Sequence, residues 1–369
     1  MQTADRSRTH PFYLIDRYVP LGNSEYELYS ALREAVPIID AALDKIVRLV
    51  GDFNIRCKNK SVENAMNMFL KNVKSDGCGV GITQFLSVYL NQLLTYGTAV
   101  GEIVLTGSGK DIYSLYNAPL RDIELTRSDN KVDTLVGINI GAGDCKVLPY
   151  QDLLLVSVLN PEPGKLAGTS LLKGLPFVSS VLLKIYNTIG VNWERVGNVR
   201  FAVTYKPSSD NDRAMSRQRA VQVAEEWSKA MHNSSKVSDF VSVGDVSIKV
   251  IGADNQILDS DIPVRQMLEQ IIAKLSIPPF LLGLSWSTTE RMSSQQADIL
   301  TSELEYYRGI LNGTVRKICD MWLRLRGISD DYEIVWDNIN LQDEVELAQA
   351  RYYNAQAEQL EQSLTKGEI

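Results

Sequence analysis

Apolar positions recur at helical spacing through several long stretches of the chain. This period predicts helices over residues 25–50, 61–75, 83–96, 171–198, 260–276 and 290–326. The helix that follows residue 170 is apolar around most of its circumference, and the residues that carry its period are Leu171, Leu172, Leu175, Val178, Val181, Leu182, Ile185 and Ile189. A helix of this kind is buried, or it packs against copies of itself.

Short runs rich in β-branched and aromatic residues lie mostly between the helical stretches. They predict strands over residues 53–57, 99–105, 112–116, 123–126, 134–140, 153–158, 201–205, 240–243, 246–251 and 332–336. The strands at 201–251 surround a helix predicted over 213–231, which makes this stretch a separate small unit. The chain is therefore predicted to be an α+β protein with a small antiparallel sheet.

A double proline separates the last two long helices. Pro278 disfavours the helical conformation at Ile277, so the preceding helix must end there. Gly283 permits a backbone turn that other residues resist. The chain then runs through a short polar loop, residues 285–290, into the next helix. No residue in this break has the character of a catalytic group.

Length limits the number of domains, and net charge limits the class of partner. The 369 residues predict about two or three domains. A formal net charge of −7 argues against a protein that grips nucleic acid tightly, but it is compatible with one that surrounds nucleic acid loosely. Much of the negative charge lies in the predicted helical tail, residues 341–369, which holds six acidic and two basic residues.

Motifs for metal and nucleotide chemistry are incomplete. The four cysteines are widely separated and have no CxxC spacing, which disfavours a zinc site and indicates free thiols in a reducing compartment. Gly107–Lys110 lacks the flanking residues of a phosphate loop, so a hairpin turn is predicted there. Gly77–Gly81 is interpreted as a loop between helices, and His10 and His232 as surface residues. We predict no catalytic residue, cofactor or metal.

Membrane segments are also not expected. The polar, charged N-terminus has no apolar stretch typical of a secretory signal. The longest apolar run, near residues 153–159, is too short to cross a bilayer.

Five motifs in a fixed order give a specific resemblance. They are Val36-Pro37-Ile38-Ile39, the segment Leu93–Ala99, the G-x-S-x-L pattern Gly168–Leu172, the segment Ile277–Gly283 with its Pro-Pro pair, and Gln295–Leu311. Their order and spacing over about residues 25–330 resemble the portal proteins of tailed bacteriophages and related viruses.

The resemblance implies a portal-type architecture. Residues 1–170 and 291–340 would form the wing, 171–198 and 259–276 the two stem helices, 199–258 the clip and 277–290 the tunnel loop. The acidic residues 341–369 would form at most a small crown. Portals are rings, usually of about twelve subunits, at one capsid vertex. Double-stranded DNA passes through the ring without sequence specificity.

The resemblance also implies residue roles. Contacts with moving DNA are expected from Lys274, Leu284, Ser285, Trp286, Ser287, Thr288, Thr289 and Arg291, while Pro278, Pro279 and Gly283 set the helix break. Packing of the stem helices is expected from Leu172, Leu175, Val178, Leu182, Ile185 and Ile271. The loop is polar and nearly uncharged, as a sliding surface should be. That Trp286 and Arg291 are ordinary interface residues remains an open alternative.

The implied partners are viral. Terminase, which supplies the ATP hydrolysis, a head-tail adaptor, and the major capsid and scaffold proteins are expected to bind the ring. The ring would be assembled in the host cytoplasm and would reside in the virion. Two other classes remain open: a nucleic-acid-processing enzyme, disfavoured because no acidic cluster marks a metal-dependent fold, and an oligomeric scaffold or adaptor without a DNA channel.

Overall fold

Helices and strands alternate along the chain, and the α+β class predicted from the sequence is confirmed. The computed structural model describes residues 22–128, 134–141, 144–197, 200–206, 217–218, 220–225, 245–251, 260–284, 290–339 and 356. The chain divides into a first unit, Met1–Ser180 with Met267–Ile369, and a second unit, Val181–Gln266.

The helices, numbered in chain order, are α1 (Gly22–Ala35), α2 (Pro37–Leu49), α3 (Lys60–Asn72), α4 (Ile82–Tyr96), α5 (Leu175–Gly197), α6 (Asp261–Leu275) and α7 (Glu290–Arg326). The strands are β1 (Phe53–Cys57), β2 (Lys74–Ser75), β3 (Gly79–Val80), β4 (Thr98–Leu105), β5 (Ile112–Asn117), β6 (Ile123–Arg127), β7 (Thr134–Gly141), β8 (Asp144–Val147), β9 (Leu154–Val158), β10 (Arg200–Lys206), β11 (Asp245–Ile251) and β12 (Tyr332–Trp336). Of these, β2, β3 and β8 were not predicted from the sequence.

Two sequence predictions need correction. The single helix expected over 25–50 is two helices, because Val36 leaves the helical region (φ −125°, ψ 86°) and Pro37 begins the second one. Gly77–Gly81 is part of a β-hairpin, in which β2 pairs antiparallel with β3. The turn consists of residues 76–78, and two of them, Asp76 and Gly77, have positive φ. A run of glycines predicted a loop, and the two-residue strands flanking the turn were too short to show a period.

The main sheet has five strands in the order β3-β2-β5-β4-β9, and a smaller sheet has the order β6-β7-β8. The hairpin turn predicted at Gly107–Lys110 joins β4 to β5, with the Thr106 N–H donating to the Asp111 carbonyl at 2.9 Å. Helix α7 packs against β9. There the Lys317 ammonium donates to the Leu154 carbonyl at 2.6 Å, and burial lowers the pKa of Lys317.

Two of the motifs noted in the sequence meet in space. Gly97 ends α4 with φ 78°, and the Gly168 segment passes directly over it. The Ser170 hydroxyl donates to the Thr95 carbonyl at 2.6 Å, and the Leu171 N–H donates to the Leu94 carbonyl at 3.1 Å. This junction anchors the chain just before it enters α5, and it leaves no room for a side chain at either glycine.

An early strand and a late strand of the chain pair with each other within the first unit. β1 pairs antiparallel with β12, so that Ile55 lies opposite Ile334. The buried Arg308 of α7 secures this pairing. Its guanidinium donates two hydrogen bonds to the Val50 carbonyl, at 2.9 and 2.7 Å, and one to the Asp337 carbonyl at 2.7 Å. Glu305 pairs with the same guanidinium at 2.9 Å.

The second unit contains most of α5, the start of α6 and the antiparallel pair β10–β11. Residues 217–218 and 220–225 are helical, in agreement with part of the helix predicted over 213–231. The strand predicted over 240–243 lies outside the described residues. So do His10, His232, residues 1–21 and, apart from Gln356, the predicted acidic tail 341–369.

Candidate functional site

The helix break lies between α6 and α7, and left-handed residues mark both of its ends. α6 ends at Leu275, two residues earlier than Pro278 alone required, because Ser276 adopts φ 53°. A 3₁₀ turn, Pro279–Leu282, follows. Gly283 has φ 75°, and its N–H donates to the Phe280 carbonyl at 3.1 Å. The break is therefore a defined turn.

The 3₁₀ turn lies against α2. Leu281 and Leu282 line a groove of about 610 Å³ together with Pro37, Ala41 and a set of charged side chains from α1 and α2, which are Arg33, Glu34, Asp40, Asp44, Lys45 and Arg48. No sequence motif connects the break with α2. The only available signal was the Leu-Leu pair inside the Pro-Pro motif, which needs an apolar partner.

Arg33 holds the helices that form this groove. Its guanidinium donates to the Asp40 carboxylate at 2.7 Å and to the Thr95 hydroxyl at 2.9 Å. It also donates to the Asn91 side-chain oxygen. Arg33 therefore links α1, α2 and α4, and this link fixes the surface on which the 3₁₀ turn sits. No motif or periodic pattern in the sequence marks Arg33.

The residues expected to contact DNA are only partly placed. Lys274 is exposed in the last turn of α6, and Leu284 is half-buried at the end of the break. Ser285, Trp286, Ser287, Thr288 and Thr289 lie outside the described residues. Arg291 lies in the first turn of α7. The structure therefore describes the residues that flank the loop on either side, namely the end of the break and the start of α7.

The expected stem residues occupy different environments. Leu175 and Leu182 of α5 and Ile271 of α6 are buried. Val178 and Ile185 are half-buried. Leu172 is buried, but it precedes α5, which begins four residues later than predicted. Several large apolar side chains of α5 remain exposed, namely Leu183, Tyr186, Val191 and Trp193.

Metal-binding clusters and membrane-spanning helices are two further features that a chain of this kind can carry. Among the described residues, no group of three or more His, Cys, Asp or Glu side chains is arranged to hold a metal ion. None of the described helices is both long and apolar enough to cross a membrane.

Similarity to known proteins is found at the level of three-dimensional structure. No protein-family model and no curated protein sequence matches this chain. A chain in the virion of a native gene transfer agent particle matches with a TM-score of 0.63 at 11% identity, over 89% of both chains. A chain in the neck of such a particle, computed with C12 symmetry, matches with a TM-score of 0.56 at 12% identity, over 88% of this chain and 89% of that one.

The chain shares its fold with a chain of this particle neck. At identities of 11% and 12% these matches show the fold alone, which the chain shares with proteins of the virion and its neck. An HK97 family phage portal protein from Corynebacterium diphtheriae also matches, at 12% identity over 82% of this chain and 92% of that one. Its TM-score of 0.44 is too low to add weight.

Proposed function

We propose that this chain is a portal protein, which forms a ring at one vertex of a phage-like capsid. The observation that carries the proposal is the match to a virion chain over 89% of both lengths, which leaves little of either fold unaccounted for. The C12 symmetry of the matched neck supports a closed ring of identical subunits. We assign the chain a structural role in the virion rather than an enzymatic one.

The domain roles follow from this proposal. Residues 1–170 and 291–340 are the wing, 171–198 and 259–276 the stem, 199–258 the clip, and 277–290 the tunnel loop. The exposed apolar side chains of α5 support packing of the stem between subunits, because a ring would remove them from water. In this arrangement the ring passes double-stranded DNA and binds terminase, a head-tail adaptor and capsid proteins.

Ring formation is the first test. Native mass spectrometry combined with negative-stain imaging of the purified chain should show a closed ring with a central hole wide enough for a DNA duplex. A stable monomer or compact dimer at all concentrations would overturn the proposal. A closed assembly without a hole would instead favour a scaffold.

The loop between α6 and α7 allows a second test. Replacing Trp286, Ser287 and Thr288 with glycine should leave ring assembly intact and reduce DNA packaging or retention in particles. The matched control is Ser108→Gly in the β4–β5 turn, which should change neither. Packaging at the wild-type level in the triple variant would remove this loop from the mechanism.

A further inference from the structure

The outer face of α7 carries an uncharged stripe. Its members are exposed or open to solvent and recur at alternating intervals of four and three residues, and they are Gln295, Ile299, Ser302, Tyr306, Gly309 and Gly313. This spacing places them along one side of a helix. Ile299 is 63% exposed and Tyr306 is 46% exposed, whereas the opposite side of α7 is buried in the first unit. We call this set the outer stripe.

Two glycines in the outer stripe have no packing role within their own subunit. Gly309 and Gly313 lie in the interior of a 37-residue helix, where glycine lowers stability relative to alanine. A Cβ atom added at either position would meet no other atom within 4 Å. Glycine at such positions allows another chain to approach the helix backbone closely.

The stripe ends beside a recess. Gly313 lines a cavity of about 300 Å³ between α7 and β9, together with Ile310, Thr314 and Val156. Val156 is itself partly exposed. The surface around Gly313 is therefore concave, and it could receive a protruding side chain.

The charged side chains along the stripe are acidic, whereas the basic Arg316 and Lys317 follow its last residue, and Lys317 lines the recess there. By helical geometry, Asp298 and Glu305 lie along one side of it and Glu303 along the other. A partner with exposed apolar and basic side chains would complement this surface.

The same chain carries a surface of that character at the β3 edge of the main sheet. Lys74 lies opposite Val80 in the β2–β3 pair. The Lys74 ammonium sits 4.5 Å from the centroid of the Tyr113 ring. Val80 is 61% exposed and Tyr113 is 52% exposed. Lys71, at the end of α3, is also exposed. We call Lys71, Lys74, Val80 and Tyr113 the lysine–tyrosine patch.

We propose that the outer stripe of one copy binds the lysine–tyrosine patch of a second copy. Two different surfaces that meet head to tail form a heterologous contact, which generates a ring when the rotation closes. This inference rests on the proposed ring function. The stripe is roughly 27 Å long. At a width of about 10 Å it supplies about 300 Å², against about 800 Å² per partner in a stable interface, so other surfaces contribute as well.

The glycine pair permits a test with two readouts of opposite sign. In the double variant Gly309→Ala with Gly313→Ala, the melting temperature of the unassembled chain should rise, because alanine favours the helix and its methyl group meets open space. Ring assembly, followed by mass photometry over a dilution series, should weaken by about tenfold or more. The matched control is Asn64→Ala on the exposed side of α3, which should leave assembly unchanged.

Two single variants map the contact. Ile299→Ser removes an exposed side chain and should weaken assembly without lowering the melting temperature of the unassembled chain. Lys74→Glu should weaken assembly to a comparable extent, whereas Lys110→Glu in an exposed turn should not.

The outcomes separate this inference from the ring itself. A wild-type chain that never assembles would refute the proposed function. Rings that form equally well in the glycine and Ile299→Ser variants would overturn the stripe and leave the ring standing. Weakening by the stripe variants but not by Lys74→Glu would overturn the pairing of these two surfaces. If the stripe variants form intact rings that fail to enter particles, the stripe binds another virion protein and not a second copy of this chain.

Discussion

Arg308 is a buried residue that ties together the two segments beside the β1–β12 pair. Its guanidinium satisfies the carbonyls of Val50 and Asp337, two positions that lie far apart in the chain. Arg308→Lys keeps the charge but cannot reproduce the forked geometry, which leaves a buried carbonyl without a donor. We expect the free energy of unfolding to fall by roughly 3 kcal/mol, measured by urea denaturation.

An exposed arginine on the same helix supplies the control. Arg324→Lys should change the free energy of unfolding by less than about 0.5 kcal/mol. Equal stabilities for the two variants would show that the Arg308 hydrogen bonds do not secure the β1–β12 pairing.

Glu162 makes a pH-dependent contribution near the entrance to α5. Hydrogen bonds and ion pairs with Lys165 and Lys173 lower the pKa of this carboxyl from 4.5 to about 2. A lowered folded-state pKa stabilises the protein above pH 4.5, and the contribution is lost as the pH falls towards 2. The Glu162→Gln variant should therefore melt below the wild type at pH 6 and approach it near pH 2.

Differential scanning calorimetry between pH 2 and 6 would measure this effect. Glu102→Gln, at another exposed acid, is the control. The ion pairs of Glu162 are solvent-exposed, so the difference should shrink at high salt. A melting-temperature difference that does not change with pH would contradict the assignment.

At the level of elements, backbone atoms approach one another very closely at the junction between α4 and the segment before α5. A Cβ atom on Gly168 would lie 2.0 Å from the Gly97 carbonyl oxygen and 2.5 Å from that of Leu159. Backbone atoms cannot move aside as a flexible side chain can, so Gly168→Ala must separate the two segments. We expect a loss of about 4 kcal/mol or more, or failure to fold.

Gly107→Ala tests whether glycine replacement alone has this effect. A Cβ atom at Gly107 would meet no other atom within 4 Å, so this variant should remain close to the wild type in thermal denaturation. A Gly168→Ala protein with a wild-type melting temperature would show that the junction can open without cost.

Element bounds agree with the prediction where a regular hydrophobic pattern sets them, in a long helix as well as in a short strand. The helix expected over 290–326 and the strand expected over 332–336 both match the structure. The bounds of the break depended instead on the conformation of Ser276, whose positive φ no sequence rule anticipates for serine.

At the scale of the whole molecule, stability should depend on assembly. A ring that binds only folded subunits stabilises them by mass action. We expect the melting temperature to rise with protein concentration over about a hundredfold range, measured by calorimetry at constant pH and salt. The Ile299→Ser variant should show a weaker dependence. A melting temperature independent of concentration in the wild type would indicate that folding and assembly are not linked.

The amino-acid sequence predicts the class of the fold, most helices and strands, and the order of motifs that resembles portal proteins. It can do so because hydrophobic period, proline and glycine act on neighbouring residues. It does not predict that β1 pairs with β12, that Gly168 crosses Gly97 or that the 3₁₀ turn lies against α2, which the folded chain shows. These contacts join residues far apart in the chain, and their geometry depends on packing that no local pattern records.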